Sequence, residues 1–246
     1  MHYLKSENLK HKRSFTRTLI LLAPIVTVLM TFLAPMWFQV NAFNWWYVFL
    51  YPGFLTLLCV FIEHRDSGKK KYQTVFPLPV SLSKIWRAKI ETTGLYVLIG
   101  NLIFLVLNVL GGFIISRLSG FPMTIGISSA ILGTVCIFLA SLWEIPFCLW
   151  LAKKTGLFVA LILNAGVGSV LGVLAAQTSY WIYCPYGWAP RLMVPILNIM
   201  PNGTLAQEQV LDTPPVLICL ALALSLLAFI FLSLITGKQF ARQEAK

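Results

Sequence analysis

One carboxylate in this sequence sits where a carboxylate is expensive. Glu144 is the only ionisable residue inside an apolar run and away from its ends. A charged side chain at the centre of a bilayer costs about 3 kcal/mol on insertion scales, and more when unpaired. Four readings follow. Glu144 lines a central cavity, pairs with a basic residue near the cytoplasmic face, carries a proton, or makes a structural contact that fixes helix packing beside Pro146. Other chemistry is sparse. His2, His11 and His64 lie outside the apolar runs, and neither H-E-x-x-H nor G-x-S-x-G occurs. Cys59, Cys136, Cys148, Cys184 and Cys219 include no C-x-x-C pair, and four lie in apolar runs. They read as small buried hydrophobes rather than zinc or disulfide ligands. No catalytic or metal-binding residue is expected, because an intramembrane enzyme needs a nucleophile, metal ligands or paired carboxylates at depth. The phosphate loop G-x-x-x-x-G-K-[ST] is also absent, since Gly237-Lys238 lacks its upstream glycine.

The elements that must position these residues are transmembrane helices. Of the 246 residues 58% are hydrophobic and 11% charged, against about a quarter charged in a soluble domain. A spanning helix needs about 20 mostly apolar residues. Six runs qualify: 18–38, 45–62, 92–115, 128–151, 157–176 and 216–236. Their continuous rather than alternating hydrophobicity selects helices over a barrel. The first run is too long for a signal peptide and no A-x-A site follows it, so it reads as an uncleaved helix. The expected organisation is a basic segment 1–17, a six-helix domain 18–236 and a tail 237–246. Tyr3, Leu4, Leu9 and Phe15, interleaved with lysines, suggest an interfacial amphipathic helix in the first segment.

Charge sets the orientation. All but two of the 19 Lys and Arg fall in the N-terminal tail, the connections after helices two and four, and the C-terminal tail. The opposite side carries only Arg117 and Arg191. By the positive-inside rule both termini are cytoplasmic. The net charge of +11 sits in short loops rather than on a basic patch of a soluble fold, so no nucleic-acid partner is expected.

Two connections are too long for turns: 63–91 on the basic side and 177–215 opposite it. The first reads EHRDSGKKKYQTVFPLPVSLSKIWRAKIE. Gly68 permits a turn, Lys69–Lys71 form a basic cluster, and Pro77 and Pro79 frame an extended stretch. Ser81 or Ser83 could cap a helix running through Ile85 and Trp86 into helix three. An ordered turn, short helix and proline frame favour docking of a cytoplasmic partner over simple contact with anionic headgroups. The second connection is rich in Tyr and Trp, which an interfacial aromatic belt explains by itself. Its stretch 188–200 is apolar but too short to span, so it reads as re-entrant or interfacial, ended by the turn Pro201-Asn202-Gly203. Asn202-Gly203-Thr204 matches a glycosylation acceptor only formally.

Glu63, Lys69–Lys71, Leu78, Pro79, Ser81, Lys84 and Lys89 together resemble the coupling segment of ABC-2 permeases. That resemblance implies an all-α, six-helix, type V exporter-like permease with a cytoplasmic coupling helix and an external re-entrant segment. It makes Glu63, Arg65, Asp66, Lys69, Lys70, Lys71, Pro77, Leu78, Pro79, Ser81 and Lys84 the surface that meets an ATPase dimer. ATP and magnesium would be held by that partner, and this chain would bind no cofactor. The external P-x-G-W-x-x-R-L-M-x-P-I-L-x-I-x-P-N-G at 185–203 and W-L-A-K-K-T-G at 150–156 are similar to lantibiotic-immunity permeases. Those imply a bacterial plasma membrane, a second permease chain, identical or different, and export of an antimicrobial peptide. Glu144, Trp181, Trp188, Arg191 and Asn202 are then the candidate substrate pathway. An ABC-2 permease for another amphipathic or lipid-like substrate is the alternative. A secondary transporter is weaker, since it needs several polar groups along a pathway and repeated halves that this sequence does not display. Gly168 and Gly172, with Ala165, Ala175 and Ala176 nearby, predict close helix packing within the chain rather than a dimer seam.

Overall fold

The computed structural model describes residues 2–67, 81–206 and 213–242. Among them are eight helices, a few short turns and one isolated bridge between Ile199 and Leu205. The helices are α1 His2–Lys10, α2 Phe15–Thr31, α3 Pro35–Ser67, α4 Leu82–Ser119, α5 Ile127–Ala140, α6 Glu144–Ala176, α7 Pro185–Leu197 and α8 Pro215–Ala241. Four are long and apolar enough to cross a membrane: α3, α4, α6 and α8. The pair α1–α2, bent by 77°, makes a fifth candidate.

Prolines and glycines moved several boundaries. Hydropathy alone carries the first run to residue 38, but α2 stops at Thr31. Pro35 pushes Ala34 out of the helical region (φ −131°, ψ 72°), and the missing proline N–H is harmless in the first turn of α3. So α3 begins ten residues before the expected 45. Its π-helical turn at Trp46–Leu50 lies just ahead of Pro52, whose ring removes one helical hydrogen bond. At the other extreme α4 takes in the charged stretch before residue 92 and ends at Gly120, which adopts φ 71°.

The expected helix 128–151 is broken. Its opening stretch is α5; residues 141–143 turn, and Glu144 opens α6. Glu144 therefore stands at a break in the helix, not in the middle of one. Nor is α6 straight. Asn164 Nδ2 lies 2.9 Å from Glu144 Oε2, although a straight helix would separate residues twenty positions apart by about 30 Å. The chain folds back at Gly156 (φ 78°, ψ −169°), a conformation glycine adopts without a Cβ penalty. Two arms result, 144–155 and 157–176.

The core lies between α3, α4, the first arm of α6 and α7. Trp46 stacks on Phe104 at 4.8 Å, and Phe43 meets the same ring edge-on at 5.1 Å. Leu29, Ile162, Leu227 and Phe231 are instead exposed. Outward apolar faces on α2, the second arm of α6 and α8 suit lipid as solvent. The two ends of the bundle differ chemically. One gathers Lys10, Glu63, Asp66, Lys89 and Lys153 with the end of α8. At the other, Gln39 brackets the backbone of Ile125, and Tyr47 reaches the carbonyl of Met200.

Candidate functional site

The described ends of the 63–91 stretch belong to a buried ionic cluster built by three helices. The last turns of α3 supply Glu63 and Asp66, the base of α4 supplies Lys89, and α1 supplies Glu7 and Lys10 with His11 just beyond it. Lys89 is fully buried. Its ammonium lies 2.7 Å from Asp66, 3.6 Å from Glu7 and 3.8 Å from Glu63, and donates to the carbonyl of Ile62 at 3.1 Å. Lys10 spans Glu7 at 2.7 Å and Asp66 at 3.0 Å. His11 Nε2 stands 3.8 Å from Glu7.

Geometry decides the protonation states. Burial alone would raise the Glu7 carboxyl, but His11, Lys89 and Lys10 outweigh it and hold the group at about 2. Burial likewise opposes the Lys89 ammonium, at the base of α4 outside run 92–115, yet Glu7, Glu63 and Asp66 keep its pKa raised. Both groups are charged at neutral pH. Charges desolvated in this way are stable only as a set, and removing one partner from a buried ion pair costs about 3–5 kcal/mol. The Asn8 side-chain oxygen adds two bonds: it accepts from the Tyr96 hydroxyl at 2.6 Å and from the Arg17 guanidinium at 2.9 Å.

Glu63 and Asp66, expected on a docking surface, thus turn inward, while Arg65 is exposed beside them. Ser81 occupies the N-cap of α4 without a side-chain cap bond; its carbonyl accepts from the amides of Lys84 and Ile85. Lys84 approaches the ring of Tyr3 at 6.0 Å. Lys69, Lys70, Lys71, Pro77, Leu78 and Pro79 lie outside the described residues. Sequence reasoning missed Glu7, Lys10 and His11. Their i, i+3, i+4 spacing, with one acid in a basic tail, was the available signal. Leu9 of α1 and Phe15 of α2 are exposed, and α1 is anchored to α3 and α4 by ion pairs.

A second polar cluster surrounds Glu144. Asn164, on the returning arm of α6, donates to Glu144 at 2.9 Å and to Thr56 of α3 at 3.0 Å, and accepts from Tyr186 of α7 at 2.9 Å. Tyr51 and Ser141 share a short hydrogen bond. Glu144, Tyr51, Ser141, Ser169 and Tyr186 line a void of about 20 Å³, room for roughly one water. Among the described residues no lysine or arginine forms an ion pair with Glu144; of the four readings, the structure shows a polar contact, with the Asn164 amide. Asn101 and Asn108 of α4 are also fully buried, Asn101 accepting from Trp46 at 2.9 Å. A search for charges overlooked these neutral polar groups.

Trp181, Trp188 and Arg191 come together, but as packing. Trp188 donates to the carbonyl of Ile182 at 2.8 Å. Arg191 donates to Thr213 at 2.9 Å and to the carbonyl of Ala176 at 3.0 Å, and sits 5.6 Å from the Trp181 ring. All three are buried. Trp143 contacts Trp188 and Tyr186 and so links this group to the Glu144 cluster. Asn202 stands apart at an exposed turn, where its side chain accepts from the amide and hydroxyl of Thr204. Gly168 and Gly172 receive α7: a Cβ on Gly172 would lie 2.6 Å from the carbonyl oxygen of Tyr186, and one on Gly168 would strike the Tyr186 ring. The small-residue stripe packs within the chain.

No curated protein and no solved structure matches the chain. A family model described as ABC-2 family transporter protein matches residues 3–179, a stretch that includes the ionic cluster, Glu144 and both arms of α6. With that match over an all-helical membrane architecture, the chain belongs to the ABC-2 transporter family.

Proposed function

We propose that this chain is the permease subunit of an ATP-driven exporter, moved by a separate ATPase pair acting on 63–91. The observation that carries the reading is the ionic cluster. The described ends of the 63–91 stretch, Glu63 and Asp66 on α3 and Lys89 on α4, are locked there to α1. Force applied to the segment then displaces three helices together rather than bending one. The basic end is assigned to the cytoplasm by charge. The chain crosses six times: α2, α3, α4, α5 with the first arm of α6, the second arm, and α8. In this reading α7, 13 residues and about 20 Å long, does not cross but re-enters from outside.

The proposed substrate is a cationic antimicrobial peptide of the lantibiotic type, taken from the membrane and released outside. A second permease copy or homologue completes the pathway. The support is the residue order at 185–203 and 150–156. Arg191 and Trp188, both buried, would shape the external segment rather than touch peptide, whereas the exposed Asn202 would meet it.

Replacing residues 77–84 by a Gly-Ser linker tests the coupling assignment. Membrane insertion should persist while the ATPase no longer co-purifies and peptide resistance is lost. Normal resistance in that variant defeats the docking role.

A further inference from the structure

Between the first arm of α6, the base of α4 and the end of α8 lies a cavity of about 340 Å³, lined by Trp86, Trp150, Lys153, Lys154, Gln239 and Arg242, among others. That volume is within the usual range for small-molecule sites, about 300–1,000 Å³. Among the described residues three cations line it and no carboxylate does. Aromatic rings form its walls. Trp86 stacks on Phe240 at 4.8 Å, and the Lys153 ammonium sits 3.8 Å from the Phe240 centroid. The frame is braced: Trp86 donates to Thr236 at 2.9 Å, and Trp150 donates to Gln239 Oε1 at 2.8 Å. Trp86 also lines a second groove of about 470 Å³ between α4 and α8, with an apolar floor of Ile90, Phe229, Ile230 and Leu234 and with Arg87, Glu91 and Lys238 also in its lining. Cationic cavity and apolar groove thus share one wall.

We propose that this pair of cavities is a binding site for an anionic phospholipid, its phosphate held by Lys153, Lys154 and Arg242 and an acyl chain laid along the α4–α8 groove. The guanidinium of Arg242 can grip two phosphate oxygens, and the lysines supply point charge. Glu63 acts on Lys153 electrostatically without lining the cavity. Basic pockets between helices at a membrane surface bind lipid headgroups in this manner. The inference needs the basic end to lie at a membrane surface, and it stands whether or not the exporter reading is correct.

The test uses the full chain in nanodiscs of mixed phosphatidylglycerol and phosphatidylcholine, with retained lipid measured by native mass spectrometry. Wild type should retain phosphatidylglycerol above its bulk proportion. Each cation removed should lower that enrichment about fivefold, and Lys153→Gln/Lys154→Gln/Arg242→Gln should bring it to the bulk ratio. Lys153→Arg/Lys154→Arg/Arg242→Lys should keep it. Lys154→Glu, at an exposed position, gives the same readout if the triple glutamine variant does not fold. Equal retention of both lipids by wild type overturns the proposal, as does unchanged enrichment in the glutamine variant. Loss of enrichment on adding millimolar inorganic phosphate would reassign the cavity to a free anion. Loss of ATPase co-purification with enrichment intact would reassign it to the protein partner.

Discussion

Lys89 is the residue on which the ionic cluster turns. Lys89→Met would leave Glu7, Glu63 and Asp66 buried without their central cation, a loss of about 3–5 kcal/mol. Unfolding in detergent should show it, and Lys89→Met combined with Asp66→Asn should lose less than the sum of the two single changes. Glu7 adds a pH dependence. Its folded pKa is near 2 against a reference of 4.5, so its contribution is complete above about pH 4.5. It is lost as pH falls towards 2, because the unfolded chain takes up the proton first. Glu7→Gln should flatten the stability profile in that window, measured by tryptophan fluorescence. Glu144 was legible as an unusual residue, but not its partners. Asn164 is twenty positions away, and only the reversal at Gly156 brings it within 2.9 Å. Glu144→Gln keeps an acceptor for Asn164 and should leave stability within about 1 kcal/mol. Glu144→Leu strands a buried amide and should cost about 1–3 kcal/mol, read by thermal unfolding.

Among the elements, hydropathy located the apolar mass well and its interruptions poorly. Long uninterrupted runs such as 92–115 and 216–236 lie inside observed helices. The misplaced ends trace to Pro35 and to the turn at 141–143, because window averages over 20 residues blur a short break, whereas the reversal at Gly156 falls between the expected runs 128–151 and 157–176. The docking of α7 on the second arm of α6 was half visible: the glycines signalled close approach, and the structure supplies Tyr186 as the neighbour. Gly172→Ala places a methyl against backbone that cannot swing aside. It should destabilise by about 1–3 kcal/mol, whereas Gly166→Ala, with open space at its Cβ, should cost far less. Comparing the two melting temperatures separates packing from helix propensity.

At the scale of the whole molecule, the two ends of the bundle differ in what holds them together. The aromatic end is a packed scaffold in which Trp181, Trp188 and Arg191 brace α7 against α6. The ionic end joins α1, α3 and α4 by charges that must move as a unit, which is the support for the proposed docking role. The charge asymmetry of the loops was readable from sequence. The inward turn of Glu63 and Asp66 was not, because exposed and buried acids look alike until α1 packs over them. The most direct measurement is co-purification of the ATPase subunit with the full chain, comparing wild type with the 77–84 linker variant at matched membrane levels. The account predicts that the ATPase accompanies wild type and is lost from the variant. Equal recovery from both would contradict it.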